Sequence, residues 1–221
     1  YLSVVWYSLF YSSNSFTDLN GANIAIVLLI TFWALRLGIF LFMRIHKDGE
    51  DKRFRTIKPS ATQFFMTWTL QGLWVSLCSM CALTAISSET GVIVNTLFYV
   101  GFNLFLFGFI IEVIADKQKT AFRSIPENRD KFITTGLWAK SRHPNFFGEI
   151  VLWTGIAVMS FSSLSGLQYL TLISPFFTYL LLVYVSGVRM LEARADKKWG
   201  DNEEYKKYKA NTPVLWLRFR G

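Results

Sequence analysis

Five runs of apolar residues, each long enough to cross a bilayer, constrain this chain more than any other feature. They lie near 22–45, 62–86, 91–114, 144–163 and 167–188, and a shorter run, Tyr1–Tyr11, opens the sequence. A spanning α-helix needs ~20 predominantly apolar residues. In hydrocarbon, backbone N–H and C=O groups must be satisfied within the protein, which leaves helices or closed barrels. Continuous apolar runs of this length are helical. The sequence therefore predicts an all-α integral membrane bundle of about six to seven transmembrane helices, forming a single domain over residues 1–221 with a cytosolic helical tail over 189–221. Tyr1 stands where a Met would open a complete chain, so preceding residues are expected, and no complete signal peptide is present.

A net charge of +8 raises the question of nucleic acid, and the distribution of that charge answers it. Residues 44–60 hold six Lys or Arg, 115–143 hold seven and 189–221 hold nine, leaving Arg36 alone inside an apolar run. The connections 12–21, 87–90 and 164–166 hold none. Alternate loops are thus basic, as the positive-inside rule requires of cytoplasmic segments. The charge encodes topology and an affinity for anionic lipid or ligand, with no nucleic-acid partner expected. The expected location is a bacterial inner membrane or a eukaryotic organelle membrane such as the endoplasmic reticulum, with membrane lipids as partners and the oligomeric state left open.

The polar residues within this apolar frame are the candidate site. Arg142-His143-Pro144-Asn145 falls where a charged loop meets an apolar helix, and Glu149 lies four residues beyond Asn145, on one helix face. Pro144 suits the first helical turn. Polar groups entering a membrane on one face are costly and face a cavity or a partner. Glu112 and Asp116 also share a face near the expected end of the 91–114 helix, where acids oppose the macrodipole and need partners; Arg123 continues that face if the helix runs on. Gln71 brings an amide into a membrane helix beside Gly72. Arg36 either snorkels or meets an acid on another helix. Glu50-Asp51-Lys52-Arg53 reads as a solvated mixed-charge turn. Arg189 and Glu192 lie three apart at the end of the last apolar run. In the tail, Glu203 and Lys207 form an i,i+4 pair, and Tyr205 and Tyr208 share a face. Cys78 and Cys81 read as small buried residues, and no metal site is expected.

Several of these segments resemble one family. Trp33-Ala-Leu-Arg-Leu-Gly38, Gly49-Glu-Asp-Lys-Arg-Phe54, Leu70-Gln-Gly72, Glu112 with Asp116, Gly136-Leu-Trp138, Ser141-Arg-His-Pro-Asn-Phe-Phe-Gly-Glu149 and Ser186-Gly187 with Leu191-Glu192 resemble the steroid 5α-reductase-like proteins, and more closely their uncharacterised bacterial and plant branch. The likeness covers nearly all of 30–213, and the block from Arg142 to Glu149 is its most specific part. The resemblance implies about seven membrane helices whose last three, with the cytosolic loops, enclose NADPH. It implies reduction of a conjugated carbon–carbon double bond in a lipid-soluble, steroid-like or isoprenoid-like substrate. By motif position Asp116, Arg123, Asn145, Glu149 and Arg189 become cofactor residues; Glu112, Tyr205 and Tyr208 join them, and Arg142 and His143 match the sterol-reductase form of the block. Gln71 becomes the catalytic donor to a substrate carbonyl, although the family's acid beside it is replaced by Gly72. No Gly-x-Gly-x-x-Gly occurs, so a nicotinamide site here is not of the Rossmann type. Isoprenylcysteine carboxyl methyltransferases and phospholipid methyltransferases share the block more loosely, together with an acid, Tyr, Tyr, Pro tail like Glu203 to Pro213. An S-adenosylmethionine-dependent membrane methyltransferase is thus the alternative. A non-catalytic membrane subunit is the third.

Overall fold

Helix starts in this chain are set by side chains that satisfy the first orphan N–H groups. The structure, a computed structural model, describes residues 1–12, 20–49 and 54–218; the Glu50–Arg53 turn expected from the sequence lies outside these. The apolar runs become α1 (Leu2–Tyr11), α2 (Gly21–Asp48), α4 (Ala61–Ile86), α5 (Thr96–Ser124), α6 (Pro144–Ser160) and α7 (Ile173–Leu180), with a four-residue α3 (Phe54–Ile57) between α2 and α4. The tail forms α8 (Val188–Trp199) and α9 (Glu203–Asn211). The described residues contain no strand, and five of the helical stretches are long and apolar enough to cross a membrane. Asn20 caps α2 by accepting from Ala22 N at 2.8 Å, Ser60 caps α4 through Gln63 N at 3.3 Å, and Asn202 caps α9 through Glu204 N at 2.8 Å.

Three expectations are corrected. The run near 91–114 becomes a helix that starts at Thr96 and ends at Ser124. Its start is displaced because the backbone N–H groups of Val92 and Ile93 donate to Asn23 Oδ1 and Ser163 Oγ, after a turn at Gly91 with φ +63°. Its end is displaced because nothing interrupts it before Pro126. Glu112 and Asp116 therefore sit well inside the helix, away from the terminal turn where the macrodipole acts. The run near 167–188 is not one helix. It is a 3₁₀ segment (Gly166–Leu172), then α7, then a π-turn (Leu181–Val185) that stops at Ser186. A Cβ at Gly187 would collide with the Leu182 carbonyl, so only glycine closes this break. In α9, Glu203 pairs with Lys206 at 2.7 Å rather than with Lys207, the i+3 partner being on the same face as the i+4 one.

The residues group into two compact units, Tyr1–Phe98 with Met159–Ser174, and Tyr99–Val158 with Pro175–Gly221. In the first, α1 packs on α2 and α4. Buried Asn23 ties the unit together by donating to the Ile86 carbonyl at 3.2 Å while accepting from Val92 N at 2.8 Å. Cys78 and Cys81 are buried free thiols, and Ser174 donates to the Cys78 carbonyl. The Arg36 guanidinium lies 5.8 Å from the Phe40 ring centre. Large side chains such as Phe32, Phe42, Phe65 and Leu70 are exposed, as a surface in contact with lipid tails requires.

In the second unit α5 and α6 touch backbone to backbone. A Cβ on Gly148 would lie 2.5 Å from the Gly108 carbonyl oxygen, and one on Gly155 would lie 2.6 Å from that of Gly101. Small residues permit such approach, and close packing is what associates helices in lipid. The segment after α9 turns back along the loop before α6. Arg142 N donates to Pro213 O at 2.9 Å, Ser141 Oγ to Leu215 O at 2.9 Å, and Arg218 N to Lys140 O at 2.9 Å. Leu215 and Leu217 are thereby buried against Ile111 and Phe147.

Candidate functional site

This strap fixes the loop that carries the most specific sequence motif. Ser141, fully buried, also accepts from His143 N at 3.2 Å, so the backbone at His143 is held from the strap side. Trp138, in a 3₁₀ turn (Gly136–Ala139), donates from Nε1 to the Ala115 carbonyl at 3.1 Å and accepts on its own carbonyl from the Tyr208 hydroxyl at 2.6 Å. Gln118 accepts from Leu137 N at 2.9 Å. The loop is therefore bonded to α5, to α9 and to the strap.

These elements enclose a cavity of about 320 Å³. Six cations line it: Lys119 and Arg123 from α5, Lys131 from the following loop, Arg142, and Arg194 and Lys198 from α8. One carboxylate, Glu192, lines it with them. The remaining wall is aromatic. The Phe132 ring lies within 6 Å of the rings of Trp199, Tyr205 and Tyr208, at 5.8, 5.2 and 5.7 Å, and Lys119 Nζ sits 4.3 Å from the Trp138 ring centre.

Glu192 organises the inner end. One oxygen accepts from His143 Nε2 at 2.8 Å and the other meets Arg142 Nη2 at 3.2 Å, with Lys209 Nζ at 4.0 Å. The Arg142 and His143 side chains are only 9% and 7% exposed. Arg142 Nε and His143 Nδ1 are buried and have no hydrogen-bond partner among the described residues. An unpaired buried polar atom costs ~1–3 kcal/mol and calls for an explanation. Burial holds the His143 imidazole below its ordinary range, against the opposing pull of Glu192. Burial, reinforced by the Asp196 carboxylate that accepts from its hydroxyl at 3.2 Å, pushes the Tyr205 phenol up to about 12. Burial also raises Tyr208. Both phenols stay protonated, as donors, at neutral pH.

The depressed His143 value has a consequence for stability. In the window between the folded value and the ordinary unfolded one, the unfolded chain binds the extra proton. Stability then rises with pH across that window and is lost on acidification. The thermal midpoint in detergent should fall as the medium is taken from about pH 7 to about pH 5, and fall less in His143→Gln. Equal slopes for the two proteins would show that His143 is not the group responsible.

Of the residues singled out from the sequence, Arg123, Arg142, His143, Tyr205 and Tyr208 meet at this cavity. Glu112, 3% exposed, packs instead against Gly148, and half-buried Asp116 follows it on α5. Asn145 and Glu149, both half-buried, lie on the first turns of α6, and Arg189 is exposed at the start of α8. None of these five lines the cavity. Gln71 lies exposed on α4, in the first unit. Lys119, Lys131, Phe132, Trp199, Arg194 and Lys198 were not singled out, and Glu192 was noted only for its spacing. The α8 residues had a readable signal: Leu191, Glu192, Ala195, Lys198 and Trp199 recur at helical spacing on one face.

Residues 2–212 match the model of a family described as protein of unknown function (DUF1295). A probable O-methyltransferase, ustE, of Ustilaginoidea virens is 30% identical over 154 residues, covering 58% of this chain and 54% of that protein. The chain thus spans about half the length of this curated relative. No solved structure matches the chain.

Proposed function

The chain belongs to the DUF1295 family, and from that premise we propose that it is a membrane-embedded, NADPH-dependent reductase of a conjugated carbon–carbon double bond in a lipid-soluble substrate. The observation that carries the reading is the charge of the cavity wall: six cations and one carboxylate line it, the carboxylate paired to Arg142 and His143, and Lys198 paired to Asp130 at 2.9 Å. Such a wall suits a polyanion, and NADPH carries three phosphates. Arg guanidinium groups bind phosphate in a planar, bidentate fashion, and Lys supplies point charge. Lys119, Arg123, Lys131, Arg194 and Lys198 would hold the phosphates, while Phe132 and Trp199 offer faces for a base. When bound, NADPH supplies hydride. The protein's share is to neutralise the phosphates and to hold the Tyr205 and Tyr208 phenols in place through Asp196 and the Trp138 carbonyl. Apolar substrate reaches such a protein through the bilayer.

The cofactor class decides between this reading and its rival. Calorimetry in detergent should show NADPH binding at least tenfold tighter than NADH, because the additional phosphate meets a further cation. S-adenosylmethionine should bind weakly, its sulfonium being repelled by the same wall. Strong S-adenosylmethionine binding without NADPH binding reverses the assignment. The methyltransferase reading rests on the relative from U. virens, named a probable O-methyltransferase, and an aromatic wall is able to face a sulfonium.

The same reading places the basic segments in the cytoplasm. Single reporter cysteines at Glu89 and Glu127, both exposed, should label from opposite sides of sealed vesicles. Labelling of both from one side overturns that orientation.

A further inference from the structure

Arg142 Nε and His143 Nδ1, without a hydrogen-bond partner among the described residues, belong to adjacent residues that line the cavity and whose other side-chain nitrogens are committed. Arg142 spends Nη2 on Glu192 at 3.2 Å and Nη1 on the Lys209 carbonyl at 3.5 Å. His143 spends Nε2 on Glu192 at 2.8 Å. A carboxylate is acceptor-only, so the Nε2 proton stays on the ring and, in the neutral imidazole, Nδ1 is a bare lone pair. Arg142 Nε always carries a proton. On these two adjacent residues the structure therefore leaves one donor and one acceptor unsatisfied. A phosphate or carboxylate offers only acceptors and meets the His143 lone pair unfavourably. An ammonium offers only donors and leaves Arg142 Nε unpaired.

We propose that Arg142 Nε and His143 Nδ1 together recognise an uncharged ligand group bearing both a donor and an acceptor, a primary carboxamide, and that Glu192 is the positioning residue that sets this polarity. The inference rests on the nicotinamide reading above and deepens it: the carboxamide of the nicotinamide binds here, away from the cationic wall that holds the phosphates. Burial supports it by keeping the imidazole neutral. Glu192 touches no ligand in this scheme; it acts through the tautomer of His143.

The chain has two histidines, so imidazole-labelled protein gives a readable nitrogen spectrum, with His46→Asn assigning the signals. The ligand-free protein should show His143 protonated at Nε2 and bare at Nδ1. Glu192→Gln should mix the tautomers and Glu192→Asp should restore the single form. A proton on Nδ1 in the wild type overturns the proposal. Binding of NADP+ is then compared with that of its acetylpyridine analogue, in which a methyl replaces the carboxamide nitrogen and removes the donor alone. The wild type should prefer NADP+ by roughly tenfold, the effect of one buried hydrogen bond, and Glu192→Gln should lose most of that preference. Equal affinity of the wild type for both dinucleotides overturns this assignment and leaves the cofactor reading standing. Binding of neither overturns the cofactor reading itself, while the tautomer measurement still decides the role of Glu192.

Discussion

Replacing Glu192 with alanine should destabilise the protein by about 3 kcal/mol and abolish dinucleotide binding, the cost expected when one partner of a buried ion pair is removed. The figure sits at the low end of that range because Glu192 itself is 18% exposed and water reaches it. The loss falls on two residues at once. Arg142 keeps only its long bond to the Lys209 carbonyl, at 3.5 Å, and His143 loses the partner of Nε2. Both already hold one unsatisfied buried atom, so the substitution deepens an existing debt of polar groups. Glu192→Gln keeps a planar acceptor of the same size and should lose markedly less. Thermal unfolding and calorimetry on the three proteins measure this. If Glu192→Ala melts and binds like the wild type, the inner end of the cavity contributes to neither property.

How much of this was legible in the sequence depends on the range of the interactions. The membrane helices are the most legible, because each is a local property of composition: Ala61–Ile86 matches the run at 62–86 almost residue for residue. Helix ends were harder where long-range partners set them. The N–H of Val92 is taken by Asn23, 69 residues away, and no local pattern announces that bond. The break near 181–187 is a matter of backbone path, which an unbroken apolar run conceals.

The same division applies to the site. Arg142 and His143 stood out because charges beside an apolar helix are costly. Their partner Glu192 lies 49 residues beyond His143 on a helix whose charges look like an ordinary solvated face. Phe132 gave no signal in its loop, yet its ring gathers Trp199, Tyr205 and Tyr208. Asn145 and Glu149 were correctly placed on one helix, but sharing a helix does not bring them to the cavity wall, whose cations come from α5, α8 and the loop between α5 and α6.

The register of α5 against α6 is what sets Lys119 and Arg123 relative to His143, and Gly148 is one of the close approaches that fix it. A Cβ there would lie 2.5 Å from the Gly108 carbonyl oxygen, 2.8 Å from Glu112 N and 3.1 Å from Glu112 Cβ. Two of these three are backbone atoms of a continuous helix, which no rotamer change can move aside. Overpacking costs ~1–3 kcal/mol where side chains give way, so Gly148→Ala should cost about 3 kcal/mol or force the helices apart. Separation would carry Lys119 and Arg123 on α5 away from His143, which immediately precedes α6, and ligand affinity should fall with stability. Gly72→Ala is the control. Its Cβ meets nothing within 4 Å in the middle of α4. Alanine there should be neutral or stabilising by ~0.5–1 kcal/mol, since glycine disfavours a helix by that amount. Thermal midpoints and binding isotherms of the two variants in one detergent decide the matter. A Gly148→Ala protein as stable as Gly72→Ala would mean that the helices yield freely, and that the cavity owes its shape to the loops alone.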